Sequence, residues 1–119
     1  MKLSKAEELN LALCTMLGAK GVVGFKIARN LRMINEELKE YHNVRFDLFK
    51  KYGELGEDNS YRIEKGTENF KKFSEEIAPY DNQEVEFNFR KITEDELANS
   101  DLTAEQMGLI WDYMIEVKE

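Results

Sequence analysis

The chain has 119 residues, 42% hydrophobic and 34% charged, with a formal net charge of −7. That length suits one domain, and the apolar content is globular rather than disordered. The negative sign disfavours nucleic acid, whose phosphates call for a basic face. One cysteine, Cys14, excludes an intramolecular disulfide and points to a reducing compartment.

The start, Met1 to Glu8, carries acids where a secretory leader would carry its apolar run. Ser4-Lys5-Ala6-Glu7 has the form of a capping box, which predicts a first helix to about Leu17. Leu9, Leu11, Leu13, Cys14, Met16 and Leu17 make that helix apolar on nearly every side, so it is expected to be well buried. Gly18 offers its stop.

After a glycine-punctuated connection, a long amphipathic helix is expected from Gly24 to Tyr52. Ile27, Leu31, Ile34, Leu38, Tyr41, Leu48 and Tyr52 step by fours and threes, a heptad-like seam broken only by Arg45. About 29 residues make a rod of about 43 Å, whereas a compact chain of this size has a radius of gyration of about 13–14 Å. A second molecule is therefore expected on the seam, with Ile27, Leu31, Ile34, Leu38, Tyr41, Arg45 and Leu48 as its interface. Arg45 either sets register or marks where the seam is exposed.

Gly53 and Gly56 end the rod, and an acidic loop leads to an extended piece at Tyr61–Ile63. Thr67 caps a third helix that buries Phe70, Phe73 and Ile77 and is closed by Pro79. Gln83 to Ile92 is the clearest strand: Val85, Phe87 and Phe89 alternate with Glu84, Glu86, Asn88 and Arg90. It is expected to pair antiparallel with Tyr61–Ile63. The last helix starts at Thr103-Ala104-Glu105-Gln106, a second capping box, with Leu102 and Met107 as a hydrophobic staple. Met107, Ile110, Trp111 and Met114 form its stripe, with Val117 if the helix runs that far; Trp111, Met107 and Met114 are expected to pack on Phe87 and Phe89, the alternative being an exposed binding patch.

These elements predict an α+β chain, mainly helical. A helical hairpin with one long helix (1–53) carries a small antiparallel β element and a C-terminal helix (54–119), all in one domain. The halves differ in charge: residues 1–52 hold 10 Lys and Arg against 6 acids, and residues 53–119 hold 7 against 18.

Chemistry is sparse. Gly18, Gly21 and Gly24, with Lys20, Lys26, Arg29 and Arg32 about a helix N-terminus, offer an anion or nucleic-acid site. The dinucleotide and Walker spacings are both missing, so a glycine turn with a solvated basic face is the plainer account. Asp58-Asn59-Ser60 opens like a calcium loop, but Arg62 and Ile63 stand where a ligand and the glycine belong. His42 has no second histidine or cysteine with which to hold a metal, and Cys14 in apolar surroundings is no nucleophile. No cofactor and no catalytic set are expected.

The chain resembles an uncharacterised family of proteins encoded by tailed bacteriophages and prophages. The residues that carry the likeness are Leu9-Asn10-Leu11, Gly24 to Leu31 opening the long helix, and Lys50-Lys51-Tyr52-Gly53-Glu54 ending it. Phe70-Lys71-Lys72-Phe73, the acidic alternating strand and Leu102 to Gln106 complete it. The resemblance implies a phage or prophage origin and assigns no activity or site residue. The expected function is that of a non-enzymatic protein acting through protein contacts, as an oligomeric structural, assembly or accessory factor. Its expected place is the bacterial host cytoplasm, with the virion as the alternative.

Overall fold

The computed structural model describes residues 1–117. Its architecture is α+β and mainly helical. Helix α1 (Leu3–Cys14) and the long α2 (Gly21–Tyr52) form a hairpin; strands β1 (Glu54–Leu55) and β2 (Tyr61–Arg62) follow. Then come α3 (Glu68–Asp81), β3 (Ile92–Thr93), α4 (Glu94–Ala98), α5 (Ala104–Met114) and β4 (Ile115–Glu116). The 32 residues of α2 reach about 48 Å at the usual rise, which matches the 51 Å long axis of the molecule. The radius of gyration, 17.3 Å, exceeds the value for a compact chain because this one helix sets the length.

The core lies along one side of α2. Val23, Ile27, Ile34, Leu38 and Tyr41 are buried against Leu3, Ala6, Leu9 and Leu13 of α1, Phe73 and Ile77 of α3, and Ile92, Leu97, Ile110 and Met114 beyond. Gly24 lets the turn fold over the start of α2, since a Cβ there would stand 2.1 Å from the Ala19 carbonyl oxygen.

Several local expectations are corrected. Ser4 and Glu7 form no capping box, because α1 begins two residues earlier, at Leu3, with Lys2 as its cap and no side-chain bond. Its first amide is satisfied instead by the Gln83 carbonyl, at 3.0 Å, while Val85 donates to the Met1 carbonyl. α2 starts at Gly21 rather than Gly24. Pro79 sits inside α3, which runs on to Asp81. A proline there removes one helix bond, and the Asn82 amide closes the turn on the Ala78 carbonyl.

The strand expected over Gln83–Ile92 keeps its alternation without its ladder. Val85, Phe87 and Phe89 point inward and the residues between them are exposed. The segment makes one antiparallel bridge, Lys2 with Glu84, before β3 pairs parallel with β4. A side chain holds its far end: Asn30 donates to the Arg90 carbonyl at 3.0 Å and accepts from the Arg90 amide at 2.7 Å. Nor does Tyr61–Ile63 pair with it. β2 pairs antiparallel with β1, five residues of turn away, with Leu55 opposite Tyr61. Closing that short turn costs less chain entropy than closing across α3, and Asn59 takes the left-handed conformation it needs, at φ 63.

Candidate interaction surface

The residues expected to form an intermolecular seam are placed mostly inside the chain. Ile27, Ile34, Leu38 and Tyr41 are between 0% and 4% exposed, and Leu31 and Leu48 pack on that core from its edge. The heptad pattern is thus satisfied internally over Ile27–Tyr41, and these residues do not form an open face. Arg45 is half-buried rather than an exposed break in the seam. It shares a cleft with Glu7 of α1 and Asp81 of α3, and its guanidinium lies 5.6 Å from the Phe49 ring centroid.

That cleft gathers the polar contacts between the first three helices. The Tyr41 hydroxyl donates to the Asp81 carboxylate. Burial, reinforced by that bond, pushes the phenol from its ordinary 10.0 up to about 12, so Tyr41 stays a neutral donor. His42 Nε2 meets the Glu7 carboxylate, which ties α2 to α1. The sequence left His42 as exposed or hydrogen-bonded; it is a hydrogen-bonded helix-to-helix tie.

The basic region is divided. Lys26 Nζ lies 2.7 Å from Glu96 Oε1 and 2.7 Å from the Lys91 carbonyl oxygen. The bond from Lys26 is the main reason that the Glu96 carboxyl titrates below the usual range. Glu96 also completes a capping box with Thr93 at the start of α4, a Thr-x-x-Glu pattern that is readable in the sequence. The backbone amide of Lys20, at the α2 N-terminus, faces Asp101 Oδ1 at 3.4 Å, so the positive end of that helix already has an anion nearby. Lys20, Arg29 and Arg32 remain exposed. The four cations are therefore not assembled as one open anion site.

Two further expectations change. Cys14 is exposed rather than embedded in apolar surroundings. Trp111 is 40% exposed and outside the core, while Phe87 and Phe89 stack on each other at 5.0 Å. Val117 falls beyond α5, which ends at Met114. Asp58 bonds Ser60 and Arg62 within its own turn, and the Ser60 hydroxyl holds its carboxyl low. Among the described residues no cluster of three or more His, Cys, Asp or Glu could hold a metal.

Exposed large apolar side chains occur on several elements, among them Leu11 and Leu17 at the first helix and its turn, Leu109 and Trp111 on α5, and three on α2. Near its start Val22 is 55% and Phe25 61% exposed, and Arg29 lies over the Phe25 ring at 4.8 Å. Near its end Phe46 is 57% exposed and meets the Tyr61 ring edge-on at 6.1 Å. Leu55, opposite Tyr61 across the β1–β2 hairpin, continues that patch. Gly53 makes the close approach possible, since a Cβ there would stand 2.8 Å from the Arg62 carbonyl oxygen. A cleft of about 540 Å³ opens beside the tip, lined by Tyr52, Leu55, Arg62, Ile63, Thr67 and Asn69. The outer positions of α2 were readable from the helical wheel once the seam was drawn. The tip patch was not, because it depends on the hairpin folding back.

No family model, curated protein or solved structure matches the chain. Among the described residues no helix is long and apolar enough to cross a membrane.

Proposed function

We propose that this chain acts by binding protein, as an oligomeric or accessory component without catalytic activity, and that its setting is the phage or prophage one suggested by its sequence resemblance. One observation carries the reading. After supplying the core along one side, α2 still presents Val22 and Phe25 at its start and Phe46 near its end, each more than half exposed. Exposed large apolar groups with aromatics among them are the composition of a contact surface, and those of α2 stand at its two ends. The nucleic-acid alternative loses support because Lys26 is held by Glu96 and the net charge is −7.

Sedimentation velocity from about 10 μM to about 1 mM, a range in which weak to moderate contacts form, tests the proposal. The mass should rise with concentration, and Phe25→Ser or Phe46→Ser should lower it while the circular dichroism spectrum is unchanged. A monomer throughout, or association indifferent to both substitutions, overturns it.

A further inference from the structure

Resting on that reading, we infer that the exposed start of α2 docks on the outer face of α5 of a second copy of this chain. The two faces are complementary in charge, each with an exposed apolar side chain beside it. On α2, Phe25 and Arg29 are exposed, with Lys20 exposed just before the helix, and the stacking of Arg29 on Phe25 sets a cation beside an aromatic ring at the surface. On α5, Glu105, Leu109 and Asp112 are exposed along one stripe, an acid on either side of a leucine that is 47% exposed.

Among the described residues none of these four charged side chains takes part in an ion pair. The neighbouring Lys26, by contrast, is committed to Glu96. Packed antiparallel, with Phe25 against Leu109, the helices place Arg29 four residues on from Phe25 opposite Glu105 four residues back from Leu109. Asp112 then lies toward Lys20 and the positive end of α2. The contact sets the basic first half of one copy, 10 Lys and Arg against 6 acids over residues 1–52, on the acidic second half of the other, 7 against 18.

Charge reversal in two variants, studied apart and mixed, tests the contact by sedimentation. Lys20→Glu with Arg29→Glu makes both faces acidic, and Glu105→Lys with Asp112→Lys makes both basic. Each variant alone should associate roughly tenfold or more weakly than the unaltered chain, and an equimolar mixture should regain most of that loss. Recovery on mixing also shows that both variants are folded. If the unaltered chain associates and the reversals change nothing, or mixing restores nothing, the α2–α5 assignment falls and self-association stands. If the unaltered chain is a monomer, the reading on which this rests falls with it.

Discussion

From Gly21 to Tyr41, α2 has α1 along one flank and the segment from Val85 to Leu97 along the other; from His42 onward it meets α3 and the small hairpin. The same helix carries the same kind of apolar stepping through both stretches. In the first, Ile27, Ile34 and Leu38 are sealed, and even Asn30 is fully buried with both ends of its amide bonded to Arg90. In the second, Leu48, Phe49 and Tyr52 are only partly covered, and Phe46 stands out beside Tyr61. The difference teaches that a heptad-like pattern states that a helix side must be covered and does not state by what. Coverage here comes from the chain's own short elements, and it is most complete where they come from two directions.

Substitutions placed on the two stretches should separate them, beginning with the largest effect. Leu38→Ala, at a fully buried site, should lower unfolding stability by about 2–5 kcal/mol, read from urea denaturation. A loss near that of an exposed site would show that the first stretch is less tightly packed than described. Asn30→Ala should cost about 1–3 kcal/mol, since it removes both bonds between the buried Asn30 side chain and the part-buried backbone amide and carbonyl of Arg90. Faster hydrogen exchange at the Arg90 amide should accompany it, and unchanged exchange would count against the side-chain clamp.

Tyr41, at the join between the stretches, supplies a pH-dependent check. Its folded-state pKa of about 12 lies above the ordinary 10.0, so the neutral phenol is favoured by folding. That contribution is complete below pH 10 and is lost as the pH rises toward 12. Tyr41→Phe should remove this alkaline loss and cost about 1 kcal/mol near neutrality, the worth of a typical hydrogen bond. An ultraviolet titration in which every tyrosine ionises together near its ordinary value would argue against the Asp81 contact. Smallest of all, Phe46→Ser should change stability by no more than about 0.5 kcal/mol even as it weakens association. A large destabilisation would place Phe46 in the core and collapse the contrast between the two stretches.

Much of the architecture was legible in local chemistry. The long helix, the Thr67 and Thr103 caps, the hairpin connection and the mainly helical α+β class follow from side-chain period and capping, which act over a few residues. Where a non-local partner decided the outcome, local reading failed. The alternation of Val85, Phe87 and Phe89 correctly marked one inward face, yet no periodicity reveals that a helix asparagine and the Met1 backbone, rather than a strand, would take the neighbouring hydrogen bonds. The Ser4 box failed for the same reason, because Gln83 satisfies the helix end from a distant part of the chain.

The candidate surface divides along the same line. Which side of α2 is apolar, and that Lys20, Arg29 and Arg32 stand near its start, are properties of the sequence and the 3.6-residue turn. That the seam is filled from within, that Lys26 is committed to Glu96, and that Arg45 turns toward Glu7 and Asp81 were decided only by tertiary packing. Helix period sets the direction of a side chain about its own axis. The neighbour that meets it depends on contacts between residues 60 to 70 positions apart, as in Asn30 with Arg90 and Lys26 with Glu96, and those contacts exist only in the folded chain.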